Sequence, residues 1–194
     1  PLVEINSMPN LSSLYLYDNV LKEIGSMKNL PNLQILLLSG NKIEKVDGLG
    51  KFMNLTRLTL SDNRISSLDG LENLTKIQHL YVVENRISDL RTLEGMNSLR
   101  ELRLQRNQFY DIRPIEKLLN LESLYLSQNL IFDLGEISTL RSLKRLSLAG
   151  NCLPRDSEAL EENLRKLRSR GVFVSFGNQR LSLIHISEPT RPLY

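Results

Sequence analysis

The sequence predicts an α/β solenoid. The expected form is a curved, right-handed array with a parallel sheet on its concave side, 3-10 or extended returns on its convex side, and a C-terminal capping helix plus strand. Three observations carry that prediction. Asparagines stand at Asn19, Asn41, Asn63, Asn85, Asn107, Asn129 and Asn151, 22 residues apart each time. Apolar side chains sit three, five and eight positions before each one, as in Leu55-x-x-Leu58-x-Leu60-x-x-Asn63. Others recur two, five, eight and eleven positions beyond, as Ile65, Leu68, Leu71 and Leu74 do after Asn63. Seven units in one phase define a repeat architecture, in which each unit buries its apolar side only against its neighbours.

The alternation Leu14-x-Leu16 and its equivalents has period two, so each unit supplies one short strand with one face inward. Each strand returns through a single coil, so successive strands run the same way and pair in parallel. Beyond the asparagine the apolar period of three suits a 3-10 or extended return better than an α-helix. The asparagine itself is polar where the chain turns into the core. Its amide both donates and accepts, and can satisfy backbone groups freed there, so these seven side chains are expected to form a structural ladder.

Both ends of such a stack need lids. At the front, Leu2, Ile5 and Met8 fit the return half of a unit whose strand is missing, and the chain starts at Pro1 with no secretory leader. An N-terminally truncated or processed form is therefore expected. At the back the pattern changes after Leu153-Pro154. Asp156 or Ser157 can cap a helix over about 156–170, with Leu160, Leu164 and Leu167 on one face. Arg165, Lys166, Arg168 and Arg170 suit its negative end, Gly171 suits its termination, and Val172 to Phe176 alternate as a last strand. The expected division is a repeat array over 1–153 (a partial first unit, then seven strand-bearing units), a cap over 154–180, and a non-native tail over 181–194. That tail is set apart because Leu181 to Arg191 resembles the in-frame translation of a transposase sequencing-library adapter.

Composition narrows the function. The 194 residues are 41% hydrophobic and 24% charged, a globular balance that excludes wholesale disorder. No apolar run reaches the roughly 18 residues that a membrane span requires, so no membrane insertion is expected. One cysteine, Cys152, and two histidines exclude an internal disulfide framework, and with His185 in the tail they leave no multi-His metal site or His-based triad. Glycine-rich phosphate loops, nucleophile elbows and zinc-protease motifs are absent. No catalytic residue, cofactor or metal is therefore expected. Asp47, Asp69 and Asp89 recur on return turns as solvated carboxylates, and Cys152 follows the last asparagine in a structural position. The triplets at Asn10, Asn54 and Asn73 include two that arise from the repeat's own phrasing, and say nothing about secretion.

The informative surface is the outward side of the strands, six, four, two and one positions before each asparagine. Four of the six tyrosines fall there, namely Tyr15, Tyr17, Tyr81 and Tyr125. A merely solvated sheet face favours Thr, Lys and Glu, whereas Tyr and Arg bury much area with few rotors and dominate binding hot spots. The expected partner-binding residues are Tyr15, Tyr17, Leu37, Arg57, Tyr81, Val83, Arg103 and Tyr125. Strand propensity alone also favours tyrosine, and solenoid geometry tips the balance toward binding. Net charge is +3, and on this face Arg57, Arg103, Arg106 and Arg145 oppose Asp18, Asp62, Glu84 and Glu101. A nucleic-acid groove would be dominated by Lys and Arg, so no nucleic acid is expected.

With its phrases Leu11-x-x-Leu14-x-Leu16-x-x-Asn19 and the equivalents, the chain resembles the leucine-rich repeat family over about residues 1–153. The resemblance is to the 22-residue class typified by a protein phosphatase 1 regulatory subunit and by bacterial internalins. Residues 151–176 resemble the closing helix and strand of many bacterial members. The resemblance implies a non-catalytic scaffold that binds another protein on its concave face, monomeric apart from that partner, with a cytoplasmic setting slightly favoured. Two alternatives follow from the same class. One is a regulatory subunit of a serine/threonine phosphatase. The other is an internalin-like bacterial surface adhesion protein, whose return phrasing Asp111-Ile-Arg-Pro114-Ile echoes.

Overall fold

Residues 5, 8–24, 27–154 and 156–177 are described by the structure, a computed structural model. The cap segment beyond 177 and the whole of 181–194 lie outside the described residues, as does Leu2. Among the described residues eight three-residue strands form one parallel sheet in chain order. They are β1 (Ser13–Tyr15), β2 (Ile35–Leu37), β3 (Arg57–Thr59), β4 (His79–Tyr81), β5 (Glu101–Arg103), β6 (Ser123–Tyr125), β7 (Arg145–Ser147) and β8 (Phe173–Ser175). From β1 to β7 every residue pairs with the one 22 positions on, so the sequence period is the strand register. The last pairing is longer, Leu146 to Val174, because a helix intervenes.

The repeating apolar positions form a single core. Leu58, Leu60, Ile65, Leu68, Leu71 and Leu74 of the third rung are all 0–1% exposed. Among the described residues four returns contain a 3-10 turn, at Leu49–Lys51, Arg91–Leu93, Arg113–Ile115 and Ile137–Thr139. Rungs that tight can stack directly, with no helix to fill the convex side.

The asparagines close each coil. Asn41 Nδ2 donates to Leu16 O on the preceding rung at 2.9 Å and to Leu38 O on its own at 3.0 Å, while its Oδ1 accepts from Leu21 N at 3.0 Å. Asn63, Asn85 and Asn151 repeat this arrangement. At Asn129 the accepted N–H comes from Asn107 itself, and this is the rung where bulky Phe109 replaces the usual aliphatic. Among the described residues the Asn19 side chain bonds within its own rung, to Leu16 O and Tyr17 O. On the first rung Leu11, Leu14, Leu16 and Leu21 are only partly buried, whereas the equivalents Leu33, Leu36, Leu38 and Ile43 of the next are fully so.

Immediately before each ladder asparagine the chain is left-handed. The φ angles are 55° at Asp18, 68° at Gly40, 52° at Asp62, 55° at Glu84, 57° at Arg106, 60° at Gln128 and 72° at Gly150. That kink turns the strand into the return, and the N–H of Asp62 still reaches Val83 O on the next rung. Five of these seven positions carry a side chain, each accepting a conformation that glycine adopts without strain.

At the C-terminal end helix α1 (Glu158–Ser169) starts from Ser157, whose side chain accepts from Leu160 N. Of the two candidate caps it is the serine that serves, and Gly171 follows the helix with φ 78°. Leu160, Leu164 and Leu167 turn inward as the heptad-like spacing predicts, and close the core against the last coil.

Candidate protein-binding face

Because side chains alternate along a strand, the residues six, four and two before each asparagine leave the sheet on the side opposite the core. The contact residues expected from sequence fall there in two groups. Tyr15 and Tyr17, 57% and 55% exposed, lie at the first rung beside half-buried Leu37, which pairs with Tyr15. A band of Ser39, Thr59 and Ser61 separates them from the second group. Val83 sits at the edge of that second group and donates its backbone N–H to Ser61 Oγ.

The second group is a connected network on β4, β5 and β6. Glu101 is its hub. Arg103 binds Glu101 Oε1 through Nε at 2.7 Å and through Nη2 at 2.6 Å. Tyr81 donates its phenolic hydrogen to Glu101 Oε2 at 3.0 Å, and His79 Nδ1 stands 3.5 Å from the same oxygen. The Arg103 guanidinium lies 4.6 Å from the ring centre of Tyr81 and 5.1 Å from that of Tyr125, between the two. A cation over two aromatic faces while clamped by a carboxylate has little freedom left, so these side chains are already ordered in the free protein.

The electrostatics follow from that geometry. Burial pushes the Glu101 carboxyl up, but hydrogen bonds from Arg103 and Tyr81 outweigh it and hold the group below the usual carboxylate range. Burial and the hydrogen bond to Glu101 push the Tyr81 phenol up. Sequence reasoning counted Glu101 only as an opposing charge. Its position six before Asn107, in the same column as His79, was the available signal.

Three further residues shape this face. Arg57 and Arg145 are exposed, and Arg145 Nε donates to Ser123 Oγ, which it covers; Ser123 is only 2% exposed, although its column points outward. Phe173 of β8 pairs with Arg145 and is 69% exposed, so the cap extends the outward side of the sheet with an aromatic side chain. Toward the ends of the strands Arg106 is ion-paired with Glu84 and also donates to Gln128.

The remaining polar residues serve the coil. Asp89 and Asp111 accept from the backbone of Arg91 and Arg113 and pair with their guanidinium groups, stitching two returns. Asp69 accepts from Thr92 Oγ1. A second amide column, which sequence reasoning did not single out, has Asn32, Asn54 and Asn120 each donating to the carbonyl 23 residues earlier. Cys152 is half-buried and donates its backbone N–H to Ile131 O. Among the described residues no group of three or more His, Cys, Asp or Glu side chains is arranged to hold a metal ion, and no helix is long and apolar enough to cross a membrane.

Comparison with known proteins places this geometry in context. Residues 9–51 and 54–95 match a family model described as leucine rich repeats (2 copies). Internalin C2 of Listeria monocytogenes is 30% identical over 73% of this chain and 73% of its own, with a TM-score of 0.64. Internalin InlF of the same organism is 25% identical over 87% of this chain, with a TM-score of 0.66, and this chain spans 55% of its length. The ectodomain of the Arabidopsis thaliana receptor kinase GASSHO1/SCHENGEN3, solved in complex with CASPARIAN STRIP INTEGRITY FACTOR 2, is 29% identical over 74% of this chain and 19% of its own, with a TM-score of 0.66. No curated protein matches the sequence significantly.

Proposed function

Because the chain belongs to the leucine-rich repeat family, we propose that it is a non-catalytic scaffold that binds another protein on the concave face of its sheet. The observation that carries this reading is the ordered network of Tyr81, Glu101, Arg103 and Tyr125 on a surface where a purely solvated sheet has no need of one. Tyr15, Tyr17, Leu37, Arg57 and Val83 complete the proposed contact set. The rigid backbone beneath presents these side chains with little ordering cost left for association.

The test is the double variant Tyr81→Ala/Arg103→Ala. Both side chains point away from the core, so the thermal unfolding profile is expected to stay within a few degrees of wild type. Affinity for a partner captured by the protein and re-tested with purified components is expected to fall at least tenfold, about 1.4 kcal/mol or more. Unchanged affinity overturns the contact set.

A second reading is favoured by the similarity to internalin C2 and InlF together with Asp111-Ile-Arg-Pro114-Ile on the fifth return. In that reading the scaffold is part of an internalin-like bacterial surface adhesion protein. Fluorescently labelled protein is then expected to bind intact cells and lose that binding in the same double variant. Binding to a serine/threonine phosphatase catalytic subunit instead would select the regulatory-subunit reading.

A further inference from the structure

We propose that the partner presents an extended, acidic segment, with two carboxylate-bearing residues about six positions apart, that lies across the strands between Arg57 and Arg145. The proposal rests on the concave face being the binding face. Its observation is the way charge is distributed on that face. Arg103 is cancelled by Glu101 within the network, and Arg106 by Glu84 at the strand ends. Among the described residues the Arg57 guanidinium has no hydrogen bond or ion pair, and that of Arg145 has only the neutral hydroxyl of Ser123. These two guanidinium groups occupy the same register position on β3 and β7. The acids Asp18 and Asp62, whose carboxylates have no ion pair among the described residues, lie at the opposite ends of the strands. Asp62 is five residues downstream of Arg57, at the left-handed turn beyond the end of β3.

Four strand spacings separate Arg57 from Arg145, about 19 Å. An extended chain covers that distance in about six residues. Between the two arginines the segment would cross His79, Glu101 and Ser123 at the same register position, with Tyr81, Arg103 and Tyr125 beside it two residues along the strands, and the Glu101 carboxylate it meets is already held by Arg103 and Tyr81. Neutral or aromatic residues fit there, and acidic ones fit at the two ends. Beyond Arg145 the exposed ring of Phe173 offers one further apolar contact. Two bidentate arginine–carboxylate pairs at a fixed spacing would set both position and register, which isolated surface charges do not.

The test is selection of a displayed random 12-residue peptide library on the whole protein at low salt, followed by affinity measurement with the recovered peptides. Three variants are run beside wild type: Arg57→Gln/Arg145→Gln, Arg57→Lys/Arg145→Lys and Tyr81→Ala/Tyr125→Ala. The proposal expects peptides with acidic residues about six apart. Their affinity should fall at least tenfold in the glutamine variant, recover in part in the lysine variant, and weaken as salt rises. Peptides that depend on Tyr81 and Tyr125 but lack the acidic pair, or ignore the glutamine variant, overturn the acidic segment and leave the concave-face reading standing. Peptides indifferent to all three variants, or no enrichment at all, overturn both.

Discussion

The phenol of Tyr81 on β4 donates a 3.0 Å hydrogen bond to Glu101 on β5, and the carboxylate that receives it also holds Arg103 two residues further along its own strand. An outward side chain is thus fixed by its neighbour on the sheet. Glu101→Gln is expected to loosen both contacts with little loss of stability, less than about 1 kcal/mol for a partly exposed pair. Spectrophotometric titration of the tyrosines checks it. The Tyr81 phenol is pushed above its usual value by burial and by Glu101, so its titration should move to lower pH in the variant.

The same carboxylate gives the fold a specific response to acid. Its folded value lies below the ordinary 4.5, so its contribution is present above that pH and is lost as pH falls through the folded value. Wild type and Glu101→Gln should therefore differ in urea midpoint at pH 7 and converge in the acid range below 4.5. A difference that persists undiminished at the lowest pH where both remain folded would contradict this assignment.

Two asparagines of the same column predict different costs. Asn107 is 8% exposed and ties its own rung to the one before, donating to Val82 O and Leu104 O and accepting from Ile87 N. Asn107→Ala leaves buried backbone groups without partners and is expected to cost about 2–4 kcal/mol. Asn19→Ala removes bonds that are exposed and confined to one rung, and should cost about 1 kcal/mol or less. Urea denaturation of the two variants separates them.

The left-handed position before each asparagine predicts substitutions of opposite sign. Asp62 has φ 52°, so Asp62→Gly should be neutral or stabilising, by up to about 1 kcal/mol. Gly150→Ala should destabilise by about 1–2 kcal/mol, since φ is 72° and a β-carbon would come within 3.1 Å of Gln128 Cγ. Thermal melts of the two purified variants give the signs directly.

Leu80 lies at the centre of β4 and is 1% exposed. Leu80→Asp would bury an unpaired carboxylate between two rungs and is expected to unfold the neighbouring coils. Circular dichroism should show a broadened or lost transition. A melt matching wild type would refute the inward direction of this residue.

The coil was legible in the sequence because its rule is local and repeated: one leucine pattern, one asparagine, 22 residues. Strands β1 to β7 follow from it, and so does the burial of residues such as Leu58 and Leu60. Three features were harder to read. Asn32, Asn54 and Asn120 share a column with Lys76 and two serines, so their period is broken in the sequence. The left-handed kink is occupied by Asp, Gly, Glu, Arg and Gln, because the geometry of the coil imposes the conformation whatever the side chain. The role of Glu101 depends on rotamers meeting across rungs, on partners 20 residues away in the case of Tyr81, and no single-chain period encodes such a meeting.

The half-covered leucines of the first rung have a consequence for how the molecule comes apart. Each rung draws its cohesion only from the two beside it, so loss of structure should travel like an opening zip from the least protected end. Hydrogen exchange should be fastest around Leu14, slow through the middle strands, and slow again where α1 bolts the far end shut.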